Sequence, residues 1–319
     1  MGRDERAFLA GEQRSPVARS IVLAQQEPGS VGRAGTERQS EDLLTLLATQ
    51  HAGHRLPAGL RQLPERFVYA VLGLLFPHFA ARPGPSRDEL AADLAEVDRL
   101  LEQTLAVPGL PGGREVAQSA ISDEFCAKLV VIRESLLDDA RAIFEGDPAA
   151  VSVDEVILAY PGFFAIATYR IAHELHGSVA LFPRLLTEVA HRLTGIDIHP
   201  GAQIGGSFAV DHGTGIVIGE TAVLGSRVRL YQGVTLGAAR VSKGLERTKR
   251  HPTIGDDVVI YANATILGGE TVIGRGSRIG GNVWLTRSVP PYSVVTPTAR
   301  VERHRGEAGP SDDLVEFNI

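Results

Sequence analysis

The chain has one cysteine, Cys126, so it cannot form an internal disulfide and nothing points to an oxidising compartment. Cys126 sits in an apolar helical stretch and reads as a core residue. No apolar run approaches the roughly 18 residues that a membrane span requires. Basic excess is missing as well. The net charge is −6, which argues against a general nucleic-acid binder, since such a protein must neutralise phosphates. The early acids Asp4 and Glu5, with no long apolar core near them, oppose a secretory signal. Arg6 stands where an N-myristoylation signal wants Ser or Thr. These absences leave the expectation of a soluble, cytoplasmic protein. Its 319 residues are enough for about two domains with substantial cores.

What is present in abundance is a six-residue beat. Ile218-Gly219, Leu224-Gly225, Leu230 and Leu236-Gly237 fall six apart, and the beat returns at Ile254-Gly255 and Ile260. It then slips one place and continues through Leu267-Gly268, Ile273-Gly274, Ile279-Gly280 and Leu285. A helical stripe would recur every three or four residues. A hexapeptide period instead signals a parallel β-helix, in which each repeat is a short strand plus a corner. The aliphatic residue fills the prism, and small or turn-forming residues allow the bend. With coils of about 18 residues, 196–296 predicts about five turns of left-handed parallel β-helix. Two interruptions break the beat. Asp211-His212-Gly213-Thr214-Gly215 adds two residues, and a basic loop, 238–252, carries Arg240, Lys243, Arg247, Lys249, Arg250 and His251. A basic extrusion from a rigid scaffold is a place to look for an anionic ligand.

The rest of the chain differs in character. Residues 1–39 mix Arg, Glu, Gln, Gly and Ser without periodicity and read as disordered. Residues 40–195 carry helical patterns, giving an α+β chain with an all-helical domain ahead of the β-helix. Ser40 precedes an apolar group, and Ser86 with Glu89 and Ser152 with Glu155 look like capping boxes. Helices are predicted over 114–145, 162–176 and 182–194, the last two stopped by Gly177 and Gly195. An acidic tail, 297–319, ends at Ile319.

Four motifs carry chemistry: Gly-Ile-Asp-Ile-His-Pro-Gly (195–201), Asp-His-Gly-Thr-Gly-Ile-Val-Ile-Gly-Glu-Thr (211–221), Tyr-Gln-Gly-Val-Thr-Leu-Gly (231–237) and Lys-Arg-His-Pro-Thr-Ile-Gly (249–255). With the helical segment before them, they resemble the serine O-acetyltransferases, over roughly 115–296. The resemblance implies transfer of acetyl from acetyl-CoA to the hydroxyl of L-serine, giving O-acetylserine for cysteine biosynthesis. An alcohol is nearly un-ionised at neutral pH, so the transfer needs a base, and an imidazole titrating near 6.5 suits the task. By position in the motifs, His212 matches the general base and Asp197 the carboxylate that orients it. Asp147 and Asp211 match the partners of the serine ammonium. Arg250 matches the carboxylate partner, where a planar fork outperforms lysine. His251 matches a second pocket histidine, which hydrogen-bonds substrate or assists proton transfer. His199 reads as structural or supporting.

Hexapeptide acyltransferases bind acetyl-CoA between neighbouring prisms of a trimer, so small residues at corners, Gly237, Ala238, Ala262 and Gly281, are candidates for its contacts. Lys243 or Lys249 would meet its phosphates. The resemblance further implies a trimer or a dimer of trimers, L-cysteine as a feedback inhibitor in the serine pocket, and Ile319 as an anchor in O-acetylserine sulfhydrylase. No metal is expected. The competing readings are a related acyltransferase with another acceptor, a non-catalytic scaffold, and a zinc enzyme using His199, His212 and His251 contributed by adjacent chains. The last lacks a His-x4-His spacing and leaves the acidic pair unexplained.

Overall fold

A computed structural model describes residues 33–53, 60–106, 118–239 and 248–297. Contacts divide the chain into two compact units, one up to Arg55 and one from Leu56 onward. The described part of the first unit is helix α1 (Arg33–Ala52). It begins before Ser40, so residues 33–39, expected to be unstructured, belong to a helix. Ala34, Glu37, Arg38 and Gln39 are good helix formers, and they extend it upstream of the first leucines. No helix among the described residues is long and apolar enough to cross a membrane.

Among the described residues, the second unit holds six α-helices and then the strands of a parallel β-helix. The helices are α2 (Leu63–Leu75), α3 (Arg87–Leu105), α4 (Gln118–Gly146), α5 (Val153–Ala159), α6 (Pro161–Leu175) and α7 (Phe182–Thr194), with a 3₁₀ turn at Pro77–Phe79. Ser86 and Glu89 form the reciprocal box that their spacing predicts. Ser152 accepts from the Glu155 N–H, while the Glu155 carboxylate reaches one residue further back, to the N–H of Val151. Gly195, at φ 72°, ends α7 in the left-handed conformation that costs glycine little.

Fourteen short strands follow: β1 (Asp197–Ile198), β2 (Gln203–Ile204), β3 (Ala209–Asp211), β4 (Val217–Ile218), β5 (Val223–Leu224), β6 (Arg229–Tyr231), β7 (Thr235–Gly237), β8 (Thr253–Ile254), β9 (Val259–Ile260), β10 (Thr265–Leu267), β11 (Val272–Ile273), β12 (Arg278–Ile279), β13 (Trp284–Leu285) and β14 (Val294–Val295). They form three parallel faces, β1-β4-β7-β10-β13, β2-β5-β8-β11 and β3-β6-β9-β12-β14. Up to β13 every third strand therefore stacks on its predecessor, and β14 stacks on β12. Ile218, Leu224, Leu230, Leu236, Ile254, Ile260, Ile273 and Ile279, all on the six-residue beat, are buried inside. One detail departs from the beat. In β10 the inward residue is Ile266, which pairs with Leu236, and Leu267 lies half-buried beside Gly237. The slip in register falls after this strand, not before it.

The helices are tied to the first coils of the prism. Tyr169 donates to the carbonyl of Ala202 at 2.6 Å. The buried Asp139 of α4 accepts from Arg170 of α6 and from the N–H of Phe208, just ahead of β3. Arg170 in turn donates to the Gly205 carbonyl at 2.9 Å. A Cβ on Gly162 would come within 2.5 Å of the Val210 carbonyl oxygen, so α6 can approach β3 only because this residue has no side chain.

Candidate active site

Two corners of the prism carry the candidate residues, and both border the same face. The first corner lies between the strands of the β3 stack and those of the β4 stack. Here Asp211 closes β3 and His212 turns the corner at φ 55°, in the left-handed region. The pairing of Asp197 with Val217 makes this coil two residues longer than the next, in which Val217 pairs with Thr235. The addition places His212, Gly213 and Gly215 at positive φ. Backbone strain of this kind persists where the surroundings over-determine it. It leaves the His212 side chain three-quarters exposed, with Nε2 3.8 Å from Asp211 Oδ1.

Asp147, one residue beyond α4, faces the same corner. Its carboxylate accepts from the Ala149 N–H at 2.9 Å and the Tyr160 hydroxyl at 2.8 Å. Those bonds, with the charges of His212 and Arg229, hold it below the usual carboxylate range. The Tyr160 hydroxyl is pushed up to about 12, first by its bond to Asp147, then by burial and by the charges of Asp147, Glu155 and Asp211. Asp147, Tyr160, Asp211 and His212 thus form one acidic recess with an imidazole at its edge. It can hold a cation and accept a proton beside it.

The second corner lies between the β4 stack and the β5 stack. There Glu220 forms an ion pair with Arg250. His251, 8% exposed, is held by Thr221, whose N–H and hydroxyl approach its Nδ1 at 3.1 and 2.9 Å. Burial, then the Arg250 charge, lowers His251 to about 4. His199 is one coil away, its Nδ1 accepting from the Gly201 N–H at 3.0 Å and its ring edge-on to His176. Burial lowers it too to about 4, against the opposing pull of Glu220. This corner offers a guanidinium, as an anionic group requires.

No family model matches the chain. It is 51% identical over 197 residues to the plasmid serine acetyltransferase of Synechococcus elongatus, covering 60% of this chain and 61% of that protein. It is 48% identical over 161 residues to the serine acetyltransferase of Bacillus subtilis, covering 50% of this chain and 72% of the relative. The chain belongs to the serine acetyltransferase family. A solved structure of Entamoeba histolytica serine acetyltransferase 1 in complex with L-cysteine matches it with a TM-score of 0.66 at 36% identity, covering 72% of this chain and 86% of that one.

Against the serine acetyltransferase expectation, the single chain brings together Asp147, Asp211 and His212 at one corner, and Arg250 and His251 at the next. Asp197 opens β1 on the face between those corners. Among the described residues, its hydrogen-bond partner is Arg184 of α7, at 2.8 Å, not His212. The coenzyme candidates divide in the same way: Ala262 and Gly281 stack at the first corner, with the Asn282 N–H on the Ala262 carbonyl, whereas Gly237 and Ala238 leave the face toward the second. The Lys249 ammonium donates to the Thr221 and Pro252 carbonyls, and burial lowers its pKa. It braces the loop exit. Lys243 and Ile319 lie outside the described residues. In the single chain the histidines of the zinc reading lie at two corners, His212 at one and His199 and His251 at the other, so that reading too would need an adjacent chain.

Sequence reasoning missed Tyr160, Glu220, Thr221 and Arg184. Glu220 and Thr221 end a motif that pointed to the family, but their work depends on residues 30 positions away across the loop. Tyr160 carried no signal beyond preceding Pro161.

Proposed function

We propose that the chain is an L-serine O-acetyltransferase using acetyl-CoA, and that its active site closes between two copies. The observation that supports this reading is positional: Asp147, Asp211 and His212 lie at one corner, and Arg250 and His251 at the next corner of the same face. Packed with threefold symmetry, the first corner of one prism would meet the second corner of its neighbour. The exposed apolar residues on that face, Val217 and Trp284, favour such packing. A trimer, or a dimer of trimers, follows from the same reading.

In the proposed reaction, Asp147 and Asp211 pair the serine ammonium, and Arg250, steadied by Glu220, pairs the carboxylate. His212 takes the hydroxyl proton as the serine Oγ bonds to the thioester carbonyl carbon. The carbon–sulfur bond then breaks, and the imidazolium returns its proton to the leaving thiolate. The small corner residues Gly237, Ala238, Ala262 and Gly281 would let the pantetheine arm lie against backbone. Asp197 would hold the His212 ring only in the closed assembly, where Arg184 would have to share it. L-cysteine would compete for the same pocket, since it retains the ammonium and carboxylate of serine. A cytoplasmic site of action within cysteine biosynthesis, and docking of Ile319 to O-acetylserine sulfhydrylase, complete the proposal.

Serine-dependent thiol release from acetyl-CoA tests the activity. His212→Ala should lose at least the ~10²–10⁴-fold typical of a general base. Mixing His212→Ala with Arg250→Ala protein, after dissociation and reassembly, should restore part of the activity, because some interfaces then receive two intact halves. Turnover near the parent level in His212→Ala refutes the base. Failure of assembled mixtures to regain any activity refutes the shared site.

A further inference from the structure

His251 lies in a slot built by the coil beneath it. A side chain on Gly219 would overlap its imidazole at Cδ2 and Nε2, so the ring rests directly on backbone. Thr221 controls its other edge. The Thr221 hydroxyl oxygen accepts from the Arg250 N–H at 2.9 Å and from the His251 N–H at 3.1 Å. A hydroxyl has two acceptor positions and one proton. With both positions taken, its proton is left for His251 Nδ1, 2.9 Å away. The Thr221 backbone N–H also points at Nδ1, at 3.1 Å. Two donors aimed at one ring nitrogen require that nitrogen to carry a lone pair.

We infer that Thr221 is a positioning residue that locks His251 in the tautomer with its proton on Nε2. The second pocket histidine then serves as a neutral hydrogen-bond donor to the acceptor's hydroxyl oxygen and is barred from acting as a base. The inference rests on the acetyltransferase reading for the donor's target, but the lock itself does not. It divides the labour between the two histidines. His212 stands exposed at a strained corner where it can gain a proton, whereas His251 is buried with its acceptor nitrogen already used. Among the described residues, the charged and titratable groups around His251 are Arg250, Glu220, Lys249 and His199. Arg250 and Lys249 oppose a further positive charge, and Glu220 is occupied by Arg250. Burial and these cations agree with the lock in keeping the ring neutral.

Nitrogen-15 NMR of histidine-labelled full chain tests it. The His251 ring should show Nδ1 unprotonated and Nε2 protonated from pH 8 down to about 5. Thr221→Ser, which keeps the hydroxyl, should preserve that pattern. Thr221→Val should let the ring titrate at higher pH. In the thiol-release assay, the valine variant should lose about 10-fold or more in kcat, short of the ~10²–10³-fold for deleting a donor outright. Thr221→Ser should stay within about threefold. A proton on Nδ1 of the parent ring overturns the inference even if Thr221→Val fails to fold, and so does an unchanged titration in folded Thr221→Val. If the parent shows no serine-dependent thiol release, the acetyltransferase reading fails, while the NMR still decides the lock.

Discussion

Asp139→Ala should destabilise the protein more than most single changes, and the structure says by how much. Asp139 is fully buried near the C-terminal end of α4, and its carboxylate accepts from Arg170 twice and from the N–H of Phe208. Truncation removes all three bonds and leaves a largely buried guanidinium whose remaining partners, among the described residues, are the Ile204 and Gly205 carbonyls. Breaking a buried pair from one side costs about 3–5 kcal/mol, because the surviving charge is uncompensated. Against a typical total of 5–15 kcal/mol this is severe. With a urea slope near 3 kcal/mol per molar, the midpoint should fall by roughly 1–2 M. Replacing both partners with apolar groups (Asp139→Leu with Arg170→Met) should recover most of the loss. The clamp also ties α4, which leads to Asp147, to the start of β3, the strand that ends at Asp211, so the apparent KM for serine should rise at urea-free, fully folded conditions. A midpoint shift under ~0.3 M, or a double variant as unstable as the single, would refute the reasoning.

Acid should weaken the fold through its buried histidines. His199 and His251 are held near 4 by burial, while the unfolded chain protonates them near 6.5. The unfolded state therefore binds more protons between those values, and stability is complete above about 6.5 and falls toward 4. Urea midpoints at pH 7.5 and 5 measure this, and a midpoint that rises on acidification would contradict it. Gly162→Ala should cost about 1–3 kcal/mol, because its new methyl meets the rigid Val210 carbonyl. Gly146→Ala should cost less, because the obstacle is the movable Arg229 guanidinium. Equal midpoints for the two glycine variants would show that backbone rigidity is not what separates them.

The prism was readable because a one-dimensional repeat writes its core into the sequence: each inward Ile or Leu recurs wherever the coil returns. Leu267 misled for a related reason. Two adjacent aliphatics, Ile266 and Leu267, both fit the beat, and only pairing with Leu236 decides which points inward. At the first corner, Asp211 and His212 announced themselves through the two added residues. The partners of Arg250, His251 and Asp197 were unreadable from spacing, because Glu220, Thr221 and Arg184 reach them across a loop or from a helix. The clamp of Asp139 by Arg170 was hidden for the same reason, since α4 and α6 meet only once the helices pack.

A regular hexapeptide prism is a poor place for chemistry. Its outward side chains stand at fixed intervals on flat faces, and its corners demand small or left-handed residues, as Gly233, Asn263 and Asn282 illustrate. Convergent catalytic groups need departures from that order. Two of this chain's departures carry the candidate residues, and each serves a different corner. The two-residue addition swings His212 out at one, and the return of the basic loop drops Arg250 and His251 onto Thr221 at the other. Because a flat face separates the corners, neither departure alone assembles a pocket for a zwitterion. On the proposed reading, activity is therefore conditional on assembly. Dilution that dissociates the copies should abolish turnover at a concentration where urea midpoints still report a folded chain. Turnover that persists in a demonstrated monomer would mean that the two corners work without each other.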